Sequence, residues 1–192
     1  MQVRALGLDG VYEIIPARFG DARGFFSETW KRSALAEHGI DLDFVQDNHS
    51  LSAAVGTLRG IHYQAPPMAQ DKLVRCTRGR VFDVAVDLRT GSPTRGQWVS
   101  LILDAATGNQ ILVPKGFAHG FQTFEDLDRA FAVVAAGRGG GLLAFARVLD
   151  VCAHVWDLSQ GPNPLAGWPR VRKNGFGCGL AGIRCASASR RT

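Results

Sequence analysis

GTLRGIHYQAPPMAQDKLVR, residues 56–75, is the stretch from which this chain is best read. β-formers flank Pro66-Pro67, which predicts one strand carrying Arg59 and His62, a turn at the prolines, and a second strand carrying Lys72 and Arg75. The stretch therefore gathers Arg59, His62, Gln64, Lys72 and Arg75 into one short span. A neutral imidazole beside a fixed ammonium suits proton abstraction next to a carbonyl. The histidine takes the proton, and the ammonium holds the enolate oxygen that forms.

Outward from this span, short β-rich runs dominate the first two thirds of the chain: VYEII, DFVQDN, KLVRCT, RVFDVAVDL, QWVSLIL and NQILVP, broken by GSPTRG and DAATGN. Many short strands at regular spacing predict an all-β sandwich or barrel, and pattern alone leaves those two open. Only KRSALAEHGI (31–40) reads as a helix, with Gly39 as its stop. The segment 130–156 shows no strand alternation, and LLAFARVLDVCAHVW within it has the character of an apolar helix. The last residues, RKNGFGCGLAGIRCASASRRT, are poor in large apolar side chains and are expected to be weakly ordered.

The chain has 192 residues, 46% hydrophobic and 20% charged, enough for one globular domain with its own core. No apolar window is long enough to span a bilayer, so no membrane partner is expected. The N-terminus, MQVRALGLDGVYEII, does not read as a secretory signal, and a cytoplasmic location follows as the expectation. Cys76, Cys152, Cys178 and Cys185 show no CxxC spacing, which argues for reduced thiols over a disulfide framework or a zinc knuckle. The net charge of +5 divides unevenly: residues 1–128 hold 13 basic and 15 acidic residues, and residues 129–192 hold 9 basic and 2 acidic. The basic residues of the tail are scattered among Ala and Gly without aromatic interleaving, which speaks against nucleic acid.

Five blocks in order carry a family resemblance: DARGFFSETW (21–30), FVQDNHS (44–50), the opening span, GRVFDVAVDLRTGSPTRGQW (79–98) and VPKGFAHGFQT (113–123). Together they resemble the dTDP-4-dehydrorhamnose 3,5-epimerases, from about residue 8 to about residue 126. The resemblance implies a double-stranded β-helix, the cupin-type jelly roll, with a short N-terminal helix and, commonly, a homodimer. It divides the chain into a cupin-type epimerase core at 1–126 and an atypical Ala/Gly-rich basic segment at 127–192. It implies a dTDP-4-keto-6-deoxy sugar as substrate, inverted at C3 and/or C5, with neither metal nor nicotinamide.

Through the same resemblance, His62 is the general base and Lys72 stabilises the enolate oxygen. Arg23 and Arg59 hold the diphosphate, for which a guanidinium fork is well shaped. Gln46 and Asn48 share one face of a strand and read the nucleoside. Phe26 lines the nucleotide pocket, with Glu28 on the same face as an acceptor. His119 is a second histidine near the substrate. Asp83 is an inward carboxylate with three open roles: orienting His62, orienting a water, or satisfying a lysine. A metal-binding cupin is the rival. Its HxH pair is absent, since His62 is followed by Tyr63 and Gln64, leaving His49, His62 and His119 as a trio to meet in space.

Beyond residue 126 the chain departs from the family. The family's general-acid tyrosine falls about thirteen residues after the second histidine, where this chain has Ala132. A second tyrosine falls near Arg138, and no acid follows Trp168-Pro169 to partner the base. Enrichment in Ala, Gly and Arg is what an out-of-frame reading of GC-rich DNA gives. The alternative to an active epimerase is a sugar-nucleotide-binding cupin impaired by loss of its acid.

Overall fold

The computed structural model describes residues 1–124 and the backbone of residues 130–137. Twelve strands run through them: β1 (Gln2–Ala5), β2 (Tyr12–Ile15), β3 (Phe19–Asp21), β4 (Gly24–Phe26), β5 (Phe44–Ser52), β6 (Leu58–His62), β7 (Lys72–Arg78), β8 (Arg80–Asp87), β9 (Trp98–Asp104), β10 (Gln110–Val113), β11 (Phe117–Thr123) and β12 (Ala130–Gly137). One sheet has the order β1-β2-β10-β7-β12-β5, a second has the order β6-β11-β8-β9, and β3-β4 form a separate hairpin. All pairings are antiparallel. This is the jelly-roll double-stranded β-helix of the cupins.

Alternation along the strands builds the layers. Val74 and Cys76 of β7 with Ile111 and Val113 of β10 meet Val81, Ala85, Leu103, Phe117 and Phe121 of the smaller sheet, and this inter-sheet cluster is the main core. The other face of the larger sheet carries Ile14, Leu73 and Leu112, covered by Leu35 and Ile40. The outer face of the smaller sheet carries Val84, Val86 and Ala118 with Ile61, Tyr63 and Trp98. Central strands such as β8 are thus buried on both faces, which is why RVFDVAVDL is apolar almost throughout.

Leu35 sits on α1 (Arg32–Ala36), the one helix among the described residues. It is shorter than the 31–40 expectation. Lys31 supplies no side-chain cap and no acid occupies the first turn, so little holds the ends. Gly39, with φ +76°, makes the turn after it. The GSPT turn after β8 is organised by Asp87, which accepts from Arg89, Ser92 and Thr94. Burial raises the Asp87 carboxyl, but these hydrogen bonds outweigh it and hold the group well below the usual carboxylate range.

One finding differs from the sequence reading. β12 falls where no strand alternation was visible, and it lies inside the larger sheet between β5 and β7. AFAVVAAG is apolar along its length, so the sequence shows no period-2 contrast there, although the strand is hydrogen-bonded on both edges. The strands expected on either side of Pro66-Pro67 are present, β6 in the smaller sheet and β7 in the larger. The expected helix at LLAFARVLDVCAHVW, the tail, Arg138 and the Trp168-Pro169 pair lie outside the described residues.

Candidate active site

The site is built where β6, β7, β8 and β11 converge on the inter-sheet face. Register sets His62 on β6 opposite His119 on β11, and Arg59 opposite Phe121. Two residues separate Arg59 from His62 but only one separates Phe121 from His119, so β6 carries an extra residue and both pairs still fall on one face. Gly60 makes this possible. Its φ is +129°, and a Cβ there would stand 2.6 Å from the Gly120 Cα. Ile61 and Tyr63 pack outward with Val84 and Val86, so alternation turns His62 and Gln64 inward.

His62 is half-buried, and its pKa is lowered from 6.5. Burial is the main cause, followed by the nearby charges of His119, Lys72 and Arg59. These three groups surround an imidazole held in its neutral, proton-accepting form at neutral pH. Lys72 opens β7 on the face of Val74 and Cys76, only 8% exposed. Its ammonium donates to the Gln70 carbonyl at 3.5 Å. Burial lowers its pKa, against a smaller opposing pull from Asp71.

Asp83 is fully buried on β8, with both carboxylate oxygens 2.9 Å from His119 Nε2. Burial pushes its pKa up, and His119 works against that. Of the roles left open for Asp83, the contact observed is a different one: it holds His119. Arg59 Nε donates to Ser52 Oγ at 3.1 Å and Nη2 donates to the Leu51 carbonyl at 2.9 Å, which ties β6 to β5. Ser52, Ser50, Asn48 and Gln46 alternate onto one face of β5, and the Arg59–Ser52 contact turns that face to the site. There Gln46 Nε2 donates to Asn48 Oδ1 at 2.8 Å.

The other residues lie apart. Arg75 does not join the cluster: it shares the face of Leu73, whose contacts are to Ile14 and Leu35 outside the larger sheet. His49 occupies the opposite face of β5 from Gln46 and Asn48, so the three-histidine arrangement does not form. Among the described residues no three His, Cys, Asp or Glu side chains are grouped as a metal site needs. Arg23 is on the turn of the β3-β4 hairpin, 90% exposed and paired with Asp21 at 2.5 Å. Phe26 is 71% exposed, and Glu28 just beyond it is exposed as well. The hairpin is anchored by Arg18, which donates to the Ala105 and Ala106 carbonyls and lies over the Phe25 ring.

Sequence reasoning left three participants without a role. Ser52 fixes Arg59, and its signal was its period-2 spacing from Gln46 and Asn48. Gly120 faces Gly60 across the bulge, and the HG pair at 119–120 was the available hint. Gln64 is 7% exposed, and its Oε1 has no hydrogen-bond partner.

A jelly roll with a neutral histidine, a buried lysine and an arginine turned inward defines a cupin whose interior can accept a proton beside positive charge. The dTDP-4-dehydrorhamnose 3,5-epimerase family model matches residues 5–136. The chain belongs to that family. It is 53% identical over 125 residues to the dTDP-4-dehydrorhamnose 3,5-epimerase of Sinorhizobium fredii, covering 65% of this chain and 64% of the relative. It is 50% identical over 129 residues to the enzyme of the same name from Escherichia coli, covering 66% and 69%. The matched part thus spans about two thirds of the curated relatives' length. Among solved structures, the Bacillus anthracis epimerase with TDP and PPi bound superposes with TM-score 0.68 at 40% identity, covering 73% of this chain and 80% of that one. The Legionella pneumophila enzyme in complex with dTDP-4-keto-L-rhamnose gives TM-score 0.68 at 42% identity, with 73% of each chain covered.

Proposed function

We propose that this chain is a dTDP-4-dehydrorhamnose 3,5-epimerase, an isomerase that inverts C3 and/or C5 of a dTDP-4-keto-6-deoxy sugar. The observation that carries the proposal is that a neutral, half-buried His62 and the buried ammonium of Lys72 both turn into the space between the two sheets. The C3 and C5 protons are both acidified by the C4 ketone. His62 takes one of them, the electron pair moves onto the ketone oxygen, and Lys72 stabilises the resulting enolate. Reprotonation from the opposite face inverts the centre, with water supplying the proton where Ala132 stands in place of the family's tyrosine. Arg59 holds the diphosphate, with Arg23 as a second phosphate contact. Gln46 and Asn48 read the nucleoside, Phe26 and Glu28 complete the nucleotide pocket, and Asp83 keeps His119 in place beside the sugar.

These residues all come from the core at 1–126. A homodimer in the cytoplasm is the assembly and location we assign. No helix among the described residues is long and apolar enough to cross a membrane.

The test is solvent exchange. In D₂O the purified chain is expected to place deuterium at C3 and C5 of the keto sugar, with inverted product. Deuterium without inversion would select the acid-impaired alternative. Binding of dTDP with no exchange at all would sink the enzymatic reading.

A further inference from the structure

Gln64 has no part in the chemistry assigned to His62 and Lys72. It follows His62 by two residues on the same face, where β6 gives way to the segment that crosses to β7. Its side chain is 7% exposed, and Oε1 is shut off from solvent without accepting a hydrogen bond. A buried acceptor left unpaired keeps its full desolvation penalty, and folded proteins leave very few of them. Gln110 Oε1 is in the same state. It lies on the far face of the larger sheet, among residues covered by α1, and its amide nitrogen is fixed on the Thr29 carbonyl at 2.6 Å. Gln64 borders the site itself.

The charged groups of that site, Arg59 and Lys72, are donors, suited to phosphate and ketone oxygens. A keto sugar also carries hydroxyls at C2 and C3, and these need an acceptor. We propose that Gln64 turns its amide toward the bound keto sugar and that Oε1, unpaired among the described residues, accepts a hydrogen bond from a ring hydroxyl, which makes Gln64 a positioning and specificity-determining residue. The inference rests on the sugar-nucleotide reading of the site. A buried acceptor matched to a hydroxyl rejects analogues lacking it, because the acceptor is then stranded.

The experiment compares Gln64→Met, close in shape but without the acceptor, with Gln64→Glu, which keeps one. It measures Kd for dTDP and for the dTDP-4-keto sugar, kcat/KM for C3 and C5 exchange, and the urea unfolding midpoint. Gln64→Met is expected to bind dTDP as the parent does and to be at least as resistant to urea. It should lose roughly ten- to a hundredfold in keto-sugar affinity relative to dTDP and in kcat/KM. Gln64→Glu should recover part of that loss. Parental keto-sugar affinity in Gln64→Met would overturn the proposal. A fall in urea midpoint with equal losses for dTDP and keto sugar would overturn it too, by assigning Gln64 a structural role. If the parent binds the sugar but shows no exchange, the epimerase reading fails, and the ratio of the two Kd values still decides the role of Gln64.

Discussion

His62 and Lys72 both sit where their charged forms are disfavoured, and each makes a different prediction. The His62 pKa is lowered from 6.5, chiefly by burial. A base must be unprotonated, so exchange should rise with pH through that lowered pKa and level off by neutrality. A pH profile of kcat/KM with its acid limb at or above 6.5 would contradict the assignment. His62→Asn should abolish exchange at both carbons and leave dTDP affinity near the parental value. For Lys72, lowered from 10.5, the sign runs toward instability. Below the folded pKa both folded and unfolded chains hold the proton, so the cost of burying the ammonium stands in full. It is relieved as pH rises toward 10.5. Lys72→Met is therefore expected to lose exchange and to gain stability on the order of 1 kcal/mol at pH 7, read from urea unfolding. Arg59→Ala should weaken binding of both dTDP and the sugar nucleotide by roughly 1.5–3 kcal/mol, measured by calorimetry, through loss of one charged hydrogen-bonding partner. At this scale the sequence was informative about chemistry and weaker about geometry. Lys72 and Arg75 are three apart on one strand, and period 2 alone puts them on opposite faces. Asp83 was legible as an inward carboxylate, but its partner depended on β11, distant in sequence.

At the scale of elements, the β6-β11 pair is the most sensitive joint. Gly60→Ala would drive a Cβ into the Gly120 backbone from a φ that L residues rarely adopt. A loss of about 1–3 kcal/mol is expected, measured by denaturant unfolding, with exchange falling as His62 and His119 move out of register. Unchanged stability would mean that the bulge can be rebuilt elsewhere. Strands with turn residues on both sides, such as β7, β8, β9 and β10, could be read from the chain because β-branched runs end abruptly at Gly, Pro, Asn or Asp. β1 and β12 could not. The first is a short edge strand, and the second has a composition that suits a helix as well as an interior strand. The β3-β4 hairpin was not read as strands; its segment DARGFFSETW was noted only as a block of the family resemblance, and its exposure in a single chain was not foreseeable. Phe19, Phe25 and Phe26 all stand in solvent.

The molecule as a whole is divided near residue 127 in charge and composition, and the family match ends at residue 136. We propose a reading-frame change in the gene as the source of the altered composition, with true divergence of the segment as the rival. Sequencing across codon 127 is expected to find the lesion, and an unbroken frame there would refute it. One feature of the fold bears on the chemistry at this scale. His62 and Lys72 are ten residues apart in the chain, yet one hangs from the smaller sheet and the other from the larger, with the crossing segment between. In the proposed roles, the gap between base and oxyanion holder is set by the thickness of the sandwich, and the apolar side chains of the core would act as spacers for a proton transfer they never touch. Ile111→Phe, an enlargement deep in that core, should slow exchange more than it weakens dTDP binding. Packing residues in this protein are in that sense calibrated parts of its chemistry, and drift in the core would be felt first as a change in rate.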